Sequence, residues 1–500
     1  MKLSNSAQPS ALSKGEDLND AHVLGSGIFW TTAGSLSTKA LRPLSLLVLA
    51  RLLSPSDYGV MATAMIVIEA LKLLKDIGVG QAFIRSRGDT AAMLNLTFWV
   101  QLGVGAFLTG LLLLSADLIA SGLGNSEIAP ILRLMSLLFV IWPFGDAPLN
   151  LMLKQLDFRS AFYRQAIPAF SAPLVSIVMA AQGFGVWALA VASVVAALAT
   201  SVTVMLLVRW RPEPPKFNGH LLKEALSFGG HVTLQNVLAW LGNFADQLIV
   251  VRFQSATNVG LLRTGMQLGT IGWEIVAGPF SAITLPWFAR LDSVQAGQAY
   301  LRAIRMLSIF SLPLNVFLAA FFFRYVGFIL GPKWAEAGAI VSIYALLNSI
   351  SCIMGLNGEV LKAIGRADVA TKLGLARVAM VILPFIWAAS QSIYHLAFAH
   401  AVMAWATGLL FTPFVTRCLG LRIGEVLRAC GEGLRLALPV AVIGLGMQWV
   451  EAANGKGLFS LTLGMVLMGA ALALIVLRYH RADIQSLYSI FAKRRSRQSQ

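Results

Sequence analysis

Charge is scarce in this sequence. Aspartate, glutamate, lysine and arginine make up 12% of 500 residues, against about 25% in a soluble domain. A chain so poor in charge cannot cover a water-facing surface, which excludes a soluble globular protein. Cysteine is scarcer still, with only Cys352, Cys418 and Cys430. Three cysteines make no disulfide framework, and their spacing fits no zinc site. The six histidines never form a His-x-x-x-His pair; His395 and His400 stand five apart and read as structural. A Gly-x-x-x-x-Gly-Lys-Ser/Thr loop is missing, which argues against ATP hydrolysis by this chain. No cofactor is called for. Long polar segments are also lacking, so the net charge of +16 has no nucleic-acid-binding module to sit on. Residues 1–22 lack the basic start and apolar core of a signal peptide, leaving the first apolar run as the insertion signal.

Apolar residues, by contrast, make up 57% of the chain, and mean hydropathy is +0.73. The apolar stretches run about 20 residues without alternation, the length of a membrane-crossing helix rather than of a barrel strand. Helices satisfy every backbone group in hydrocarbon. Fourteen spans are expected, near 24–53, 57–84, 93–116, 127–152, 160–181, 184–208, 225–251, 257–289, 302–322, 337–361, 369–389, 392–416, 433–450 and 458–478. The loops between them sort into two alternating sets. One set is basic, from Arg85/Arg87 and Lys154/Arg159 to Arg417/Arg422/Arg428 and the tail after Arg478; the other holds little beyond Arg51, Arg252, Arg324, Lys333 and Lys456. Positive residues stay in the cytoplasm. Both termini are therefore expected there, which an even number of spans satisfies. The Lys493-Arg494-Arg495-Ser496-Arg497 tail reads as a topology anchor.

The sequence also echoes itself. Leu49-Ala50-Arg51-Leu52-Leu53-Ser54-Pro55-Ser56-Asp57-Tyr58-Gly59 resembles Val250-Val251-Arg252-Phe253-Gln254-Ser255-Ala256-Thr257-Asn258-Val259-Gly260, and Met152-Leu153-Lys154 matches Val360-Leu361-Lys362. An offset of this size covers six spans, an even number, so the halves run parallel about an axis along the membrane normal. The expected fold is an all-α membrane protein of two six-helix lobes plus two C-terminal helices. In residues, a tail (1–23) precedes an N-lobe (24–208), a linker (209–224), a C-lobe (225–416), two further spans (433–478) and a basic tail (479–500). Duplication of this kind favours a transporter with substrate between its lobes.

Charges inside spans are costly, roughly 2.5–3.5 kcal/mol each on insertion scales, and usually face a cavity or a partner. Span one carries Lys39 and Arg42; span two carries Glu69, Lys72, Lys75 and Asp76; span four carries Arg133 and Asp146; spans seven and eight carry Asp246, Arg263 and Glu274; and span ten ends with Glu359. Glu69, Lys72 and Asp76 share a helix face by their spacing. Lys75 and Asp76, toward the end of span two, read as snorkelling to water. The excess on spans one and two is cationic and suits an anionic amphiphile, because lysine and arginine are the usual phosphate partners. Mutual pairing that only locks helices together is the competing reading. Prolines 43, 143, 148, 168, 173, 279, 286, 384 and 413 are expected kink sites. The twelve tryptophans mostly fall near span ends and read as an interfacial belt.

The run from Leu49 to Gly59, followed by Asp76-Ile77-Gly78-Val79-Gly80 and Ala82-Phe83-Ile84-Arg85, resembles the opening of Wzx-type polysaccharide repeat-unit flippases, in the exopolysaccharide branch that includes colanic-acid-type flippases. The resemblance implies membership of the multidrug/oligosaccharidyl-lipid/polysaccharide (MOP) exporter superfamily. It further implies flipping of undecaprenyl-diphosphate-linked oligosaccharide across the bacterial inner membrane, with membrane lipid, a polysaccharide polymerase and export machinery as partners. The family's cationic cavity matches Lys39, Arg42, Lys72 and Arg263, and the candidates for ion coupling are Glu69, Asp246 and Glu274. Two alternatives stay open. A drug antiporter or lipid II flippase of the same superfamily is one, although a drug antiporter would want a mainly acidic cavity. A membrane polymerase is the other, although every external loop is short.

Overall fold

The computed structural model describes residues 44–85, 90–154, 158–208, 210–215, 247–288 and 290–454, with isolated residues between 219 and 237 and between 459 and 473. Lys39, Arg42 and Asp246 lie outside the described residues, as do the expected basic tail and most of the first, seventh and last spans. Among the described residues no strand occurs, and eight helices are long and apolar enough to cross a membrane. The chain is a multi-pass membrane protein. It divides into two compact units, residues 1–245 and 246–500.

The first unit contains α1 (44–52), α2 (Pro55–Asp76), α3 (Val79–Arg85), α4 (Thr90–Gly122), α5 (Ile128–Ser136), α6 (Leu138–Lys154), α7 (Phe158–Ala181) and α8 (Val186–Val208). The second contains α9 (247–253), α10 (Ala256–Gly269), α11 (Ile271–Phe288), α12 (Ser293–Leu330), α13 (Ala337–Met354), α14 (Leu356–Ala363), α15 (Ala367–Gln391), α16 (Ile393–Cys418) and α17 (Ile423–Asn454).

The internal echo has a local physical meaning. Ser54 caps α2: its hydroxyl accepts from the Asp57 amide at 3.2 Å, while the Asp57 carboxylate accepts from the Ser54 amide at 2.7 Å. Ser255 caps α10 in the same way, accepting from the Asn258 amide at 3.3 Å. Serine before the helix and Asp/Asn three residues on supply acceptors for amides that the first turn leaves orphaned, worth about 1 kcal/mol. Asn258 does not return the bond; its side chain donates to Gln254 at 2.9 Å instead. The second echo falls at the ends of α6 and α14, each with its lysine in the last turn.

Helices outrun several of the expected spans. The ninth span, read as 302–322, is α12 over Ser293–Leu330, and the thirteenth, read as 433–450, is α17 over Ile423–Asn454. Their added turns are amphipathic: Ala296, Ala299, Tyr300, Ala303 and Ile304 are buried at helical spacing while Gln295, Gln298 and Arg302 face out. Hydropathy averages such a turn to nothing, though one face of it is core. Four expected spans are also broken, and none at a proline. Breaks fall at Ile77–Gly78, Leu137, Thr270 and Gly355. At the breaks at Leu137 and Thr270, Ser136 and Thr270 turn their hydroxyls onto carbonyls three residues back, competing with the helical ladder. At Gly355 the amide still reaches the Ser351 carbonyl at 2.9 Å, and an added Cβ would lie 2.7 Å from that oxygen. The bend there needs a residue without a side chain. Pro143, Pro148, Pro168, Pro173, Pro384 and Pro413 instead sit within continuous helices.

In the second unit α17 packs closely on α12. Gly433 lies so near α12 that a Cβ would come 2.3 Å from the Ser308 carbonyl oxygen. The Ser308 hydroxyl donates to the Ala429 carbonyl at 3.0 Å, Arg305 meets Glu432 at 2.7 Å, and Arg324 meets Glu451 at 3.2 Å. The last pair is nearly dry, at 9% and 10% side-chain exposure.

Candidate functional site

The densest group of intramembrane charge among the described residues lies in the first unit, where α2, α4 and α6 meet. It is built at the end of α2. The helix stops at Asp76 because Ile77 adopts φ 39°, a left-handed conformation that a β-branched side chain resists, and Gly78 follows at φ 66°. Holding Ile77 there costs about 1–3 kcal/mol, which surrounding packing must offset. The packing is present. The turn throws α3 back so that Val79, Ala82 and Phe83 bury against Leu94, Phe98 and Ala147 of α4 and α6. The Asp76-Ile77-Gly78 motif is thus a helix stop that brings the last turn of α2 against α6.

Lys75 lies in that last turn with no exposed surface. Its ammonium is 2.5 Å from Asp146 of α6 and 3.1 Å from Asp76, whose side chains are 35% and 52% exposed. A buried charge left without partners costs several kcal/mol, so two carboxylates on one ammonium are what make this burial tolerable. The expectation that Lys75 and Asp76 snorkel to water is overturned for Lys75. Its partner stands 71 residues away on another helix, beyond what spacing on α2 can reveal. Asp76 therefore joins Lys75 rather than Lys72. Gln101 of α4 extends the group, donating to Asp76 at 3.5 Å.

Lys72 is placed differently. One turn before Lys75, it is half-exposed, meets Glu69 at 3.5 Å, and lies 4.8 Å from the ring centre of Trp142 on α6. The same indole is 5.8 Å from Lys75. Trp142 is therefore an aromatic wall flanked by two ammonium groups. It stands in the first turns of α6, the second piece of the broken fourth span, rather than at either end of that span, and the interfacial-belt reading of the tryptophans passed over it. A tryptophan displaced from the span ends was the available signal.

The remaining expected residues stand apart. Arg263, on α10, is half-buried, and Glu274, on α11, is exposed; both belong to the second unit. Arg133 pairs with Asp117 across α5 and α4. Glu359 pairs with Lys362 at 2.9 Å. The His395 amide donates to the capping Ser392 hydroxyl at 3.2 Å, and the His400 ring lies 4.1 Å from that of Phe385, both structural roles. Another membrane cation escaped notice in the sequence, Arg377 of α15, a single arginine inside the apolar run from Leu375 to Trp387. Among the described residues, no three histidine, cysteine or acidic side chains converge as a metal site would require.

The segment after α8 is strapped to α4. Asn95 donates to the Pro214 carbonyl at 3.2 Å and accepts from the Glu213 amide at 3.1 Å, and the Trp99 indole donates to the Glu213 carbonyl at 2.8 Å. Trp210 completes the strap by packing edge-on against Phe98 at 5.5 Å.

Known proteins share both the fold and the sequence pattern. The lipid II flippase MurJ in an inward closed conformation superposes with a TM-score of 0.71 at 13% identity, covering 91% of this chain and 100% of its own. An inward-facing multidrug resistance MATE transporter of the MOP superfamily gives 0.61, also at 13% identity, covering 78% of this chain and 98% of its own. Among curated proteins, the teichuronic acid biosynthesis protein TuaB of Bacillus subtilis is 24% identical, over 69% of this chain and 72% of its own. The succinoglycan biosynthesis transport protein ExoT of Rhizobium meliloti is 23% identical, over 70% and 71%. The lipopolysaccharide biosynthesis protein WzxC of Escherichia coli is 21% identical, over 71% and 73%. The profile of the polysaccharide biosynthesis protein family matches residues 48–339. With more than half its length in that match, the chain belongs to the polysaccharide biosynthesis protein family.

Proposed function

We propose that this protein flips undecaprenyl-diphosphate-linked oligosaccharide repeat units across the bacterial inner membrane for exopolysaccharide or lipopolysaccharide synthesis. The observation that carries the reading is the half-exposed Lys72 beside Trp142 in a member of the polysaccharide biosynthesis family. A sugar diphosphate on a lipid offers an anion and a flat apolar sugar face, and an ammonium next to an indole answers both. Relatives named for succinoglycan transport and for teichuronic acid and lipopolysaccharide biosynthesis support the substrate class.

In this reading Lys39, Arg42, Lys72 and Arg263 receive the diphosphate, and Glu69, Asp246 and Glu274 are the candidates for coupling to an ion gradient. Glu69 competes with the substrate for Lys72, so an arriving phosphate releases its carboxylate. The two units exchange access between the membrane faces, both termini are cytoplasmic, and a polysaccharide polymerase receives the product. The group formed by buried Lys75 with Asp76 and Asp146 holds the wall of the site rather than touching substrate.

The test is a deletion strain complemented with wild type, Lys39→Ala, Arg42→Ala or Lys72→Ala, scored for secreted polysaccharide and for the sidedness of lipid-linked intermediates. The expected result is loss of secretion with intermediates held on the cytoplasmic leaflet while the variants insert normally. Intermediates that reach the outer leaflet normally in the deletion strain would remove the flippase reading.

A further inference from the structure

Within the second unit, α13, α14, α15 and α16 line a half-open cavity of about 290 Å³, far larger than the roughly 10–15 Å³ that one water needs on the same measure. The bend at Gly355 opens it, by turning α14 away from the line of α13. Its walls include Met354, Asn357, Leu373, Arg377, Thr407 and Phe411.

The hydrogen-bonding groups of this cavity are biased toward donors. Arg377 is ten residues into α15, about 15 Å along a 25-residue helix at 1.5 Å per residue, where a guanidinium is costly unless it has a partner. No described residue bonds or pairs with it. No carboxylate is among the residues that line the cavity, and those on the adjoining turns are already engaged, Glu359 by Lys362 at 2.9 Å and Asp368 by Arg366 at 3.3 Å. Asn357 adds a second donor. The Tyr300 hydroxyl donates to its carbonyl oxygen at 2.6 Å and fixes the amide, leaving its NH2 with the Met354 sulfur at 3.8 Å. Thioether sulfur is a weak acceptor, so this contact leaves the amide NH2 largely available; the Thr412 hydroxyl beside the sulfur is spent on the Gly408 carbonyl at 2.6 Å. The hydroxyl protons of Ser351 and Thr407 are spent on the carbonyls of Leu347 and Met403. What remains for a ligand is a planar guanidinium fork and an oriented amide NH2.

We propose that this cavity is a second phosphate site, distinct from the one around Lys72, and that it takes the phosphate of an anionic amphiphile through Arg377 and Asn357. The apolar chain of the ligand runs along the flank of α15 next to the cavity, where Met380 and Trp387, within about a quarter turn of Arg377 by helical spacing, are 38% and 62% exposed. Two kinds of molecule carry this chemistry, a phospholipid of the bilayer and a polyisoprenyl monophosphate. The inference does not rest on the transport reading, because it concerns binding to the chain at rest.

The experiment uses the full chain carrying Lys72→Ala, so that the other site is weakened and contributes equally to every sample compared, in a phosphate-free maltoside micelle. Its Tm is followed while polyisoprenyl monophosphate or phosphatidylglycerol is titrated in. A rise with the isoprenoid alone identifies a lipid-carrier site, and a rise with both identifies a headgroup site; either supports the proposal. Arg377→Gln should weaken the apparent Kd at least about tenfold, the effect of losing hydrogen bonds to a charged group. Gly374→Leu provides an independent check: Gly374 lines the cavity, a Cβ there meets nothing within 4 Å, and leucine favours a helix while filling the space. The proposal is overturned if neither lipid raises Tm, or if both variants bind as tightly as their parent. Transport assays play no part, so failure here leaves the flippase reading standing, and the converse also holds.

Discussion

The triad around Lys75 allows a quantitative prediction. In Asp146→Asn the ammonium loses its nearer carboxylate and keeps Asp76 at 3.1 Å. Removing a partner and leaving a buried charge alone costs about 3–5 kcal/mol. Here one carboxylate remains, and Asp146 is itself one-third exposed, so about 1.5–2 kcal/mol is expected. Asp76→Asn should cost about 1 kcal/mol, because that side chain is half in solvent. Asp76→Asn/Asp146→Asn leaves Lys75 with no carboxylate and should reach 3–5 kcal/mol, more than the two single changes together. For a unit of this size, 1 kcal/mol corresponds to about 2–4 °C, so Asp146→Asn should lower Tm by about 3–8 °C. Scanning fluorimetry on the purified protein reads this directly. Adding Lys75→Met to the doubly substituted protein should recover most of the loss, because an apolar chain of similar length then fills the same space. Strict additivity of Asp76→Asn and Asp146→Asn, or failure of Lys75→Met to rescue, would refute the claim that an uncompensated ammonium sets the cost.

Two further outcomes follow from the packing. Gly433→Ala should push α17 off α12, since its Cβ would meet the Ser308 carbonyl at 2.3 Å; a loss of about 1–3 kcal/mol, the usual cost of overpacking, should appear in the same fluorimetry. Asn95→Ala removes both of its hydrogen bonds to residues 213–214, so a cysteine introduced at position 213 should react with a maleimide several-fold faster than in the parent, with Tm nearly unchanged.

Composition and loop charge carried the membrane class, and the motif run carried the family, because both are written in local sequence. Span edges were legible only where helix and hydropathy end together, as in α8. They failed in α12 and α17, where an amphipathic turn such as Ser293–Arg305 looks polar on average. The caps could be read as an internal echo before their hydrogen bonds were known, because Ser54/Asp57 and Ser255/Asn258 are short-range pairs. The partner of Lys75 could not, since Asp146 is brought to it by the turn at Ile77 and by the packing of α3. Arg377 stood in plain view inside an apolar run. Its meaning depends on a cavity formed by four helices and on a neighbouring amide oriented from α12, and none of that is local.

The close seating of α17 on α12 bears on how such a protein can be shortened or joined to others. Deleting everything after residue 420 would strip a wall rather than trim an ornament. It would expose the Ser308 hydroxyl, orphan Arg324 at a nearly dry position, and uncover the surface that Ala437, Val440 and Met447 now occupy. A fluorescent or affinity partner is better fused beyond this helix than in place of it. Chimaeras between relatives should exchange α12 and α17 together, so that each glycine meets the backbone it was selected against.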